Sequence, residues 1–277
     1  MVTYGAETEK RRAIARRVVD HLAARTELQA SMLAGSAALG TSDEHSDIDL
    51  LNYYEELPSP SAFSELMRHL GAELKGEISG GRPEGFGGSF RLAGVEVQTG
   101  GQLIAATERR LERIAAGDVD WLTAKVAMGL VEGLPLHGET LVRDWQVRAA
   151  YPEALRRRQL EANLWFFPIW DLDDHLAARD AELYRRQMLL DGAFRVLAVL
   201  SAVNRLYFST FQFKRARPHI ERMAVRPDQL ADRLDLVANA PPSEAAEELR
   251  TLVQATKAIV RAEMPDLDVE RLSRPQA

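Results

Sequence analysis

The chain contains no cysteine in its 277 residues. Disulfides and thiolate metal sites are thereby excluded, and a cytoplasmic location is expected. Long apolar runs are missing too. Nothing approaches the roughly 18 to 20 residues needed to cross a bilayer, and the opening Met1-Val2-Thr3-Tyr4 has no apolar signal core, so no membrane partner is expected. Positive charge is not in excess: 35 Lys and Arg against 41 Asp and Glu leave a formal net charge of -6. That balance argues against a nucleic-acid partner, which usually demands a basic face, and suits a cationic small substrate. Zinc-ligand spacing is absent around His175, which follows Asp171-Leu172-Asp173-Asp174 with no second His nearby. Internal repeats and low-complexity segments are also lacking. What remains, 46% hydrophobic and 27% charged, is ordinary folded-domain composition, with room for one large or two ordinary domains.

Residues 33 to 51 carry the chemistry. An apolar run, Met32-Leu33-Ala34, leads into Gly35-Ser36 and then Ala37-Ala38-Leu39, enough for a turn or two of helix. A glycine there lets backbone amides approach a phosphate, and the Ser36 hydroxyl adds a donor at the positive helix end. About ten residues on, Asp47 and Asp49 alternate with Ile48 and Leu50. On a strand both carboxylates then share one face and both aliphatic side chains the other. Adjacent carboxylates repel unless a cation lies between them, so the pair asks for a divalent metal.

Gly-Ser, a spacer, then Asp-x-Asp resembles the polymerase-beta-like nucleotidyltransferase superfamily over roughly residues 28 to 100. The length and the helical second half resemble the antibiotic nucleotidyltransferases that adenylylate aminoglycosides or lincosamides. The resemblance implies an enzyme that moves AMP from ATP to a hydroxyl of a small acceptor. It implies two magnesium ions on Asp47 and Asp49, triphosphate contacts from Gly35 and Ser36, and a third carboxylate on a later strand. Glu96 is the candidate: Val95 and Val97 face one way, Glu96 and Gln98 the other. The family more often has Asp there, which leaves Glu96 as metal ligand or general base. Glu73 and Glu77 are rivals. Acting on protein or RNA, as a toxin does, and non-catalytic nucleotide binding are the alternatives.

The pattern predicts an α+β fold: a mixed-sheet nucleotidyltransferase domain over residues 1–145, then a helical bundle over 146–277. A first helix covers 6–25, with Ile14, Val18 and Leu22 on its apolar face and Arg11, Arg12, Arg16 and Arg17 off it. Strands are expected at Leu28 to Ala34, Asp47 to Tyr53 and Glu73 to Ile78, with a hairpin at Ser89 to Leu92 and Val95 to Thr99. Pro58-Ser59-Pro60 reads as a stiff turn, with Ser61 capping the helix that follows. Ser79 to Gly88 reads as a glycine-rich flap offering Arg82 and Phe86 to a ligand. Asp118 would cap a later helix, and Gly133 to Gly138 breaks the chain.

Residues 153–178 and 180–211 read as two long helices, the first bent at Pro168, and the last dozen residues as a loosely held tail. In this half Asp171, Asp173 or Asp174 could pair with ammonium groups of the acceptor. Asn204, Tyr207 and Phe208 fall at helical spacing, with Lys214 beyond them. These place Asn204 and Tyr207 against the base or ribose and Lys214 against the triphosphate. The expected assembly is a monomer or a homodimer.

Overall fold

A computed structural model describes residues 5–211, 213–214 and 216–274, with residues 80–82 described by their backbone alone. The architecture is α+β, and the chain divides into two compact units. The first comprises residues up to 115 together with 126–150; the second comprises 116–125 and 151 onward. The sequence carries no sign that 116–125 belongs with the second unit.

The first unit is built on a mixed sheet. Its strands are β1 (Leu28–Ala34), β2 (Ile48–Tyr54), β3 (Glu73–Leu74), β4 (Ser79–Arg82), β5 (Gly85–Leu92), β6 (Val95–Leu103) and β7 (Leu134–His137). Their order is β3-β5-β6-β2-β1-β7, with β4 paired to β5. β2 and β6 run parallel, in the register Ile48↔Val97 and Asp49↔Gln98; the other pairs are antiparallel. One core joins β1, β2, β5 and β6 to two helices, α1 (Ala6–Ala23) and α3 (Pro60–His69), through Val18, Leu22, Leu50, Phe63, Met67 and Phe90. The short α2 (Gly35–Leu39) follows β1 directly. Further helices are α4 (Ile104–Ala115), the part of α5 (Trp121–Glu132) from Val126 onward, and α6 (Glu139–Arg148), and the buried Trp145 ring on α6 packs edge-on against Tyr53 of β2.

Several local expectations are corrected. Ser59, not Ser61, caps α3: its hydroxyl accepts from the Ala62 amide at 3.1 Å, and Pro60 takes the first helical position, where its missing N–H is harmless. The expected strand over Glu73 to Ile78 shrinks to two residues. The flap is instead the β4–β5 hairpin, with Ser79 opposite Gly87, and a Cβ on Gly88 would lie 2.8 Å from Ile78 Cγ1, so the glycine lets the two arms close together. Asp120 rather than Asp118 caps α5, accepting from the Thr123 amide at 2.7 Å. Gly133 to Gly138 does not simply break the chain; it contributes edge strand β7, where Pro135 is tolerated.

The second unit is helical: α7 (Glu153–Asn163), α8 (Ile169–Ala177), α9 (Glu182–Val203), α10 (Ala216–Glu221), α11 (Leu230–Asn239), α12 (Pro242–Glu263) and α13 (Val269–Leu272). Every residue from Val196 to Val203 is buried, so the second half of α9 is enclosed on all sides. A Cβ on Gly192 would fall 2.5 Å from Leu249 Cδ2, so the glycine lets α9 and α12 pack closely. The expected bent helix is two helices, broken before Pro168, whose ring cannot continue the ladder. The expected helix to 211 ends at Val203, and Arg205 reverses the chain with φ +53°. Leu267, Val269 and Leu272 are buried, which overturns the loose tail over the described residues. Among the described residues no helix is long and apolar enough to cross a membrane.

Candidate functional site

The alternation runs along β2, which begins at Ile48, one residue later than expected, so Asp47 immediately precedes the strand. Ile48 and Leu50 are buried, whereas Asp47 and Asp49 are partly exposed on the opposite face. The register then brings the two halves of the signature together. Ala34 pairs with Asp49, so Gly35 leaves the sheet beside that carboxylate. Gly35 has φ +65°, and a Cβ there would lie 2.3 Å from Asp49 Oδ2. Glycine is demanded twice, by backbone conformation and by the carboxylate pressed against it. The Ser36 hydroxyl lies 3.2 Å from that of Ser42, and the Ser36 carbonyl accepts from the Thr41 amide at 2.9 Å, folding the link back toward Asp47.

A buried polar chain across three strands fixes this register. Ser31 Oγ donates to Asn52 Oδ1 at 2.9 Å, and Asn52 Nδ2 donates to Thr99 Oγ1 at 3.0 Å and to the Gly100 carbonyl at 3.1 Å. Satisfied inside the sheet, these bonds disfavour a slip of β1, β2 or β6, and a one-residue slip would turn the aspartates inward. Sequence reasoning missed these residues; a lone Asn amid the apolar Leu50-Leu51 and Tyr53-Tyr54 was the available signal.

β6 places Glu96 and Gln98 on the aspartate face. Gln98, directly across from Asp49, donates to Asp47 Oδ2 at 2.7 Å, a contact the sequence reading did not foresee. By the same register Glu96 falls beside Asp47, and its carboxylate is ion-paired with Lys75. Glu73 sits on β3, three strand spacings or roughly 14 Å from β2, and Glu77 is exposed before β4. Among the described residues no three acidic or histidine side chains are grouped so as to hold one metal ion. The observation that favours a cation is the aspartate pair, facing one way and sharing a rim with the glycine turn.

The remaining candidates are distributed as follows. Arg82 ends β4, and its side chain lies outside the described residues. Phe86 is core rather than ligand surface: it is buried, and its ring centre lies 4.9 Å from that of Phe63. Asp171 and Asp174 are exposed on α8, whereas Asp173 is buried in an ion pair with Arg185 at 2.8 Å. Asn204 is not helical. Its Nδ2 donates to the Leu200 and Val225 carbonyls at 2.7 and 2.8 Å, and its Oδ1 accepts from the Val225 amide at 2.9 Å. Tyr207 is buried against Tyr151, and burial raises its phenol above the ordinary tyrosine range. Lys214 is exposed in the segment before α10.

A cavity of about 660 Å³ opens between Arg25, Tyr54, Glu55, Leu57, Glu65 and His69. It lies at the far end of β2, roughly 17 Å along the strand from Asp49, and is separate from the aspartate face.

No family model matches the chain, and no curated protein matches it. Among solved structures, a nucleotidyltransferase-like protein from Exiguobacterium sibiricum 255-15 is similar over 94% of this chain and 81% of that one, at 14% identity and a TM-score of 0.39. At that distance function must be read from the side chains.

Proposed function

We propose that the first unit is a metal-dependent nucleotidyltransferase domain, which transfers AMP from ATP to a hydroxyl of a small cationic acceptor. The observation that carries this reading is the seating of Gly35 against the Asp49 carboxylate, which joins a phosphate-type turn to a carboxylate pair. Asp47 and Asp49 fit a divalent cation because they share a face and are partly exposed, and magnesium is the expected metal, as two ions by family resemblance. When bound, the metal supplies charge neutralisation for the triphosphate and the attacking oxygen. Gly35, lacking a Cβ, lets Asp49 sit against the turn, and Ser36 turns its hydroxyl from Ser42 to the phosphate. Glu96, released from Lys75, takes the proton of the acceptor hydroxyl. That oxygen forms a bond to the α-phosphorus as the bond to pyrophosphate breaks. An aminoglycoside-like or lincosamide-like acceptor is the class proposed, by family resemblance.

A second reading, a non-catalytic nucleotide-binding regulator, is favoured by Gln98 beside Asp49 and by the Lys75–Glu96 pair, since each leaves one acid fewer for chemistry. Incubation with labelled ATP, magnesium and separate pools of aminoglycosides, lincosamides, transfer RNA and protein decides between them. Label on a small molecule supports transfer to an antibiotic-like acceptor. Label on RNA or protein keeps the reaction and replaces the acceptor. Nucleotide bound without turnover selects the regulator.

A further inference from the structure

The arginines of α1 lie off its apolar face in sequence, where a solvated stripe is expected. Arg11 is instead 2% exposed. Its Nε donates to the Ser46 carbonyl at 2.7 Å, one residue before Asp47, and its NH2 group donates to the Glu44 carbonyl at 3.2 Å. Glu7, one turn earlier, ion-pairs with the same guanidinium. Arg12 reaches the end of α2, with Nε to the Ala37 carbonyl at 2.9 Å and NH2 to the Ala38 carbonyl at 2.8 Å. Thr8 is fully buried, and its hydroxyl accepts from the Ser42 amide at 3.2 Å. Ser42 in turn touches Ser36.

Thr8, Arg11 and Arg12 are spaced i, i+3 and i+4, so they form one patch on the helix. Beyond α1, Thr8 and Arg11 reach the link between the glycine turn and the aspartate pair, at Ser42, Glu44 and Ser46, and Arg12 reaches the end of α2, from which the link departs. That link has no strand or long helix of its own over residues 40–47. Guanidinium groups suit the task, since their planar fork spans two carbonyls where an ammonium is a single point charge.

We infer that Thr8, Arg11 and Arg12 are positioning residues for the nucleotide site, a role that rests on the reading given under Proposed function. They touch no reacting atom. They set the distance between the phosphate turn and the metal-binding carboxylates by holding both ends of the link to a single helix.

The test uses the full chain and two measurements. Hydrogen exchange of the amides from Thr41 to Asp47 needs no nucleotide; binding of ATP with manganese, by calorimetry, reports the site. Thr8→Val and Arg12→Met are chosen because both side chains are tolerable on a helix. Arg11→Lys replaces Arg11→Met, whose buried vacancy endangers folding. In each variant exchange in the link rises about tenfold with β5 and β6 unchanged, and nucleotide affinity falls about tenfold. Arg12→Lys restores part of both. Unchanged exchange in the link overturns the clasp. Faster exchange with wild-type affinity leaves a structural contact and overturns the positioning role. Wild-type protein that binds no ATP overturns the nucleotide reading and the positioning role with it, while the exchange result still decides the clasp.

Discussion

The two units use their polar residues differently. In the sheet unit, buried polar groups act as a frame: Ser31, Asn52 and Thr99 lock three strands, and Arg11 holds the link that precedes Asp47. The framed side chains, Asp47 and Asp49, remain partly exposed. In the helical unit, several buried polar residues, two of them candidates from the sequence, are themselves the fasteners. Asn204 ties the chain after α9 to Val225, Asp173 neutralises Arg185 beneath α8, and the His219 imidazole bonds Ser201 in a buried pocket. A site needs groups that something else holds. By that criterion Asp47 and Asp49 are the better candidates, since in the helical unit Asp173, Asn204 and Tyr207 are taken up by the fold and only Asp171, Asp174 and Lys214 stay exposed.

The sharpest break in the contrast is Asp49→Asn. The amide preserves size and removes the charge, so turnover should fall about 10^3-fold or more with little change in melting temperature, measured by labelled transfer and calorimetry. Activity retained at a tenth of wild type would sink the carboxylate assignment. Gly35→Ala comes next. The new methyl meets Asp49 Oδ2 at 2.3 Å and sits at φ +65°, a conformation costing a side chain about 1–2 kcal/mol. Displacing the carboxylate by about 1 Å should lower turnover roughly a hundredfold. Loss of stability without loss of turnover would show that Gly35 serves the fold alone.

What was legible in the sequence follows the same division. Period-two alternation exposed β2 and the β5–β6 hairpin, because each strand buries one face and side-chain direction is fixed by the pleat. The glycine turn was legible because its chemistry is local. Gln98 and the α1 clasp were not, since both depend on register and on contacts 25 to 51 residues away in sequence. The Asn204 segment misled because its spacing is helical while Arg205, at φ +53°, ends the helix regardless. The Ser79 to Gly88 stretch misled for the opposite reason: glycine weakens strands in general, yet here Gly85 and Gly88 allow close approach, their Cβ positions lying 2.8 Å from the Gly101 carbonyl oxygen and 2.8 Å from Ile78 Cγ1.

In the helical unit the contrast is probed by Asn204→Ala. The substitution strands the Val225 amide and carbonyl, while the Leu200 carbonyl keeps the backbone amide of residue 204, so a loss of about 2 kcal/mol is expected. Read as melting temperature, this is a fall of about 4–8 °C. A fall in nucleotide affinity at an unchanged melting temperature would return Asn204 to the nucleotide site and weaken the division drawn above.

The smallest effect expected is a pH dependence confined to the helical unit. His219 is buried, bonded to Ser201 at 2.9 Å and bordered by the Phe208 and Phe213 rings; burial, then the charge of Arg222, lowers its pKa from 6.5 to about 4. The unfolded chain therefore takes up this proton more readily than the folded one between pH 6.5 and 4. Stability from the neutral imidazole is present above pH 6.5 and is lost as the pH falls toward 4. Moving from pH 7 to 5.5 should cost about 1 kcal/mol. Replacing His219 with Gln keeps a partner for Ser201 without a titrating ring, so the slope across this window should flatten. An equal slope in the variant would assign it to other groups and remove His219 from the list of residues that fasten the helical unit through their neutral form.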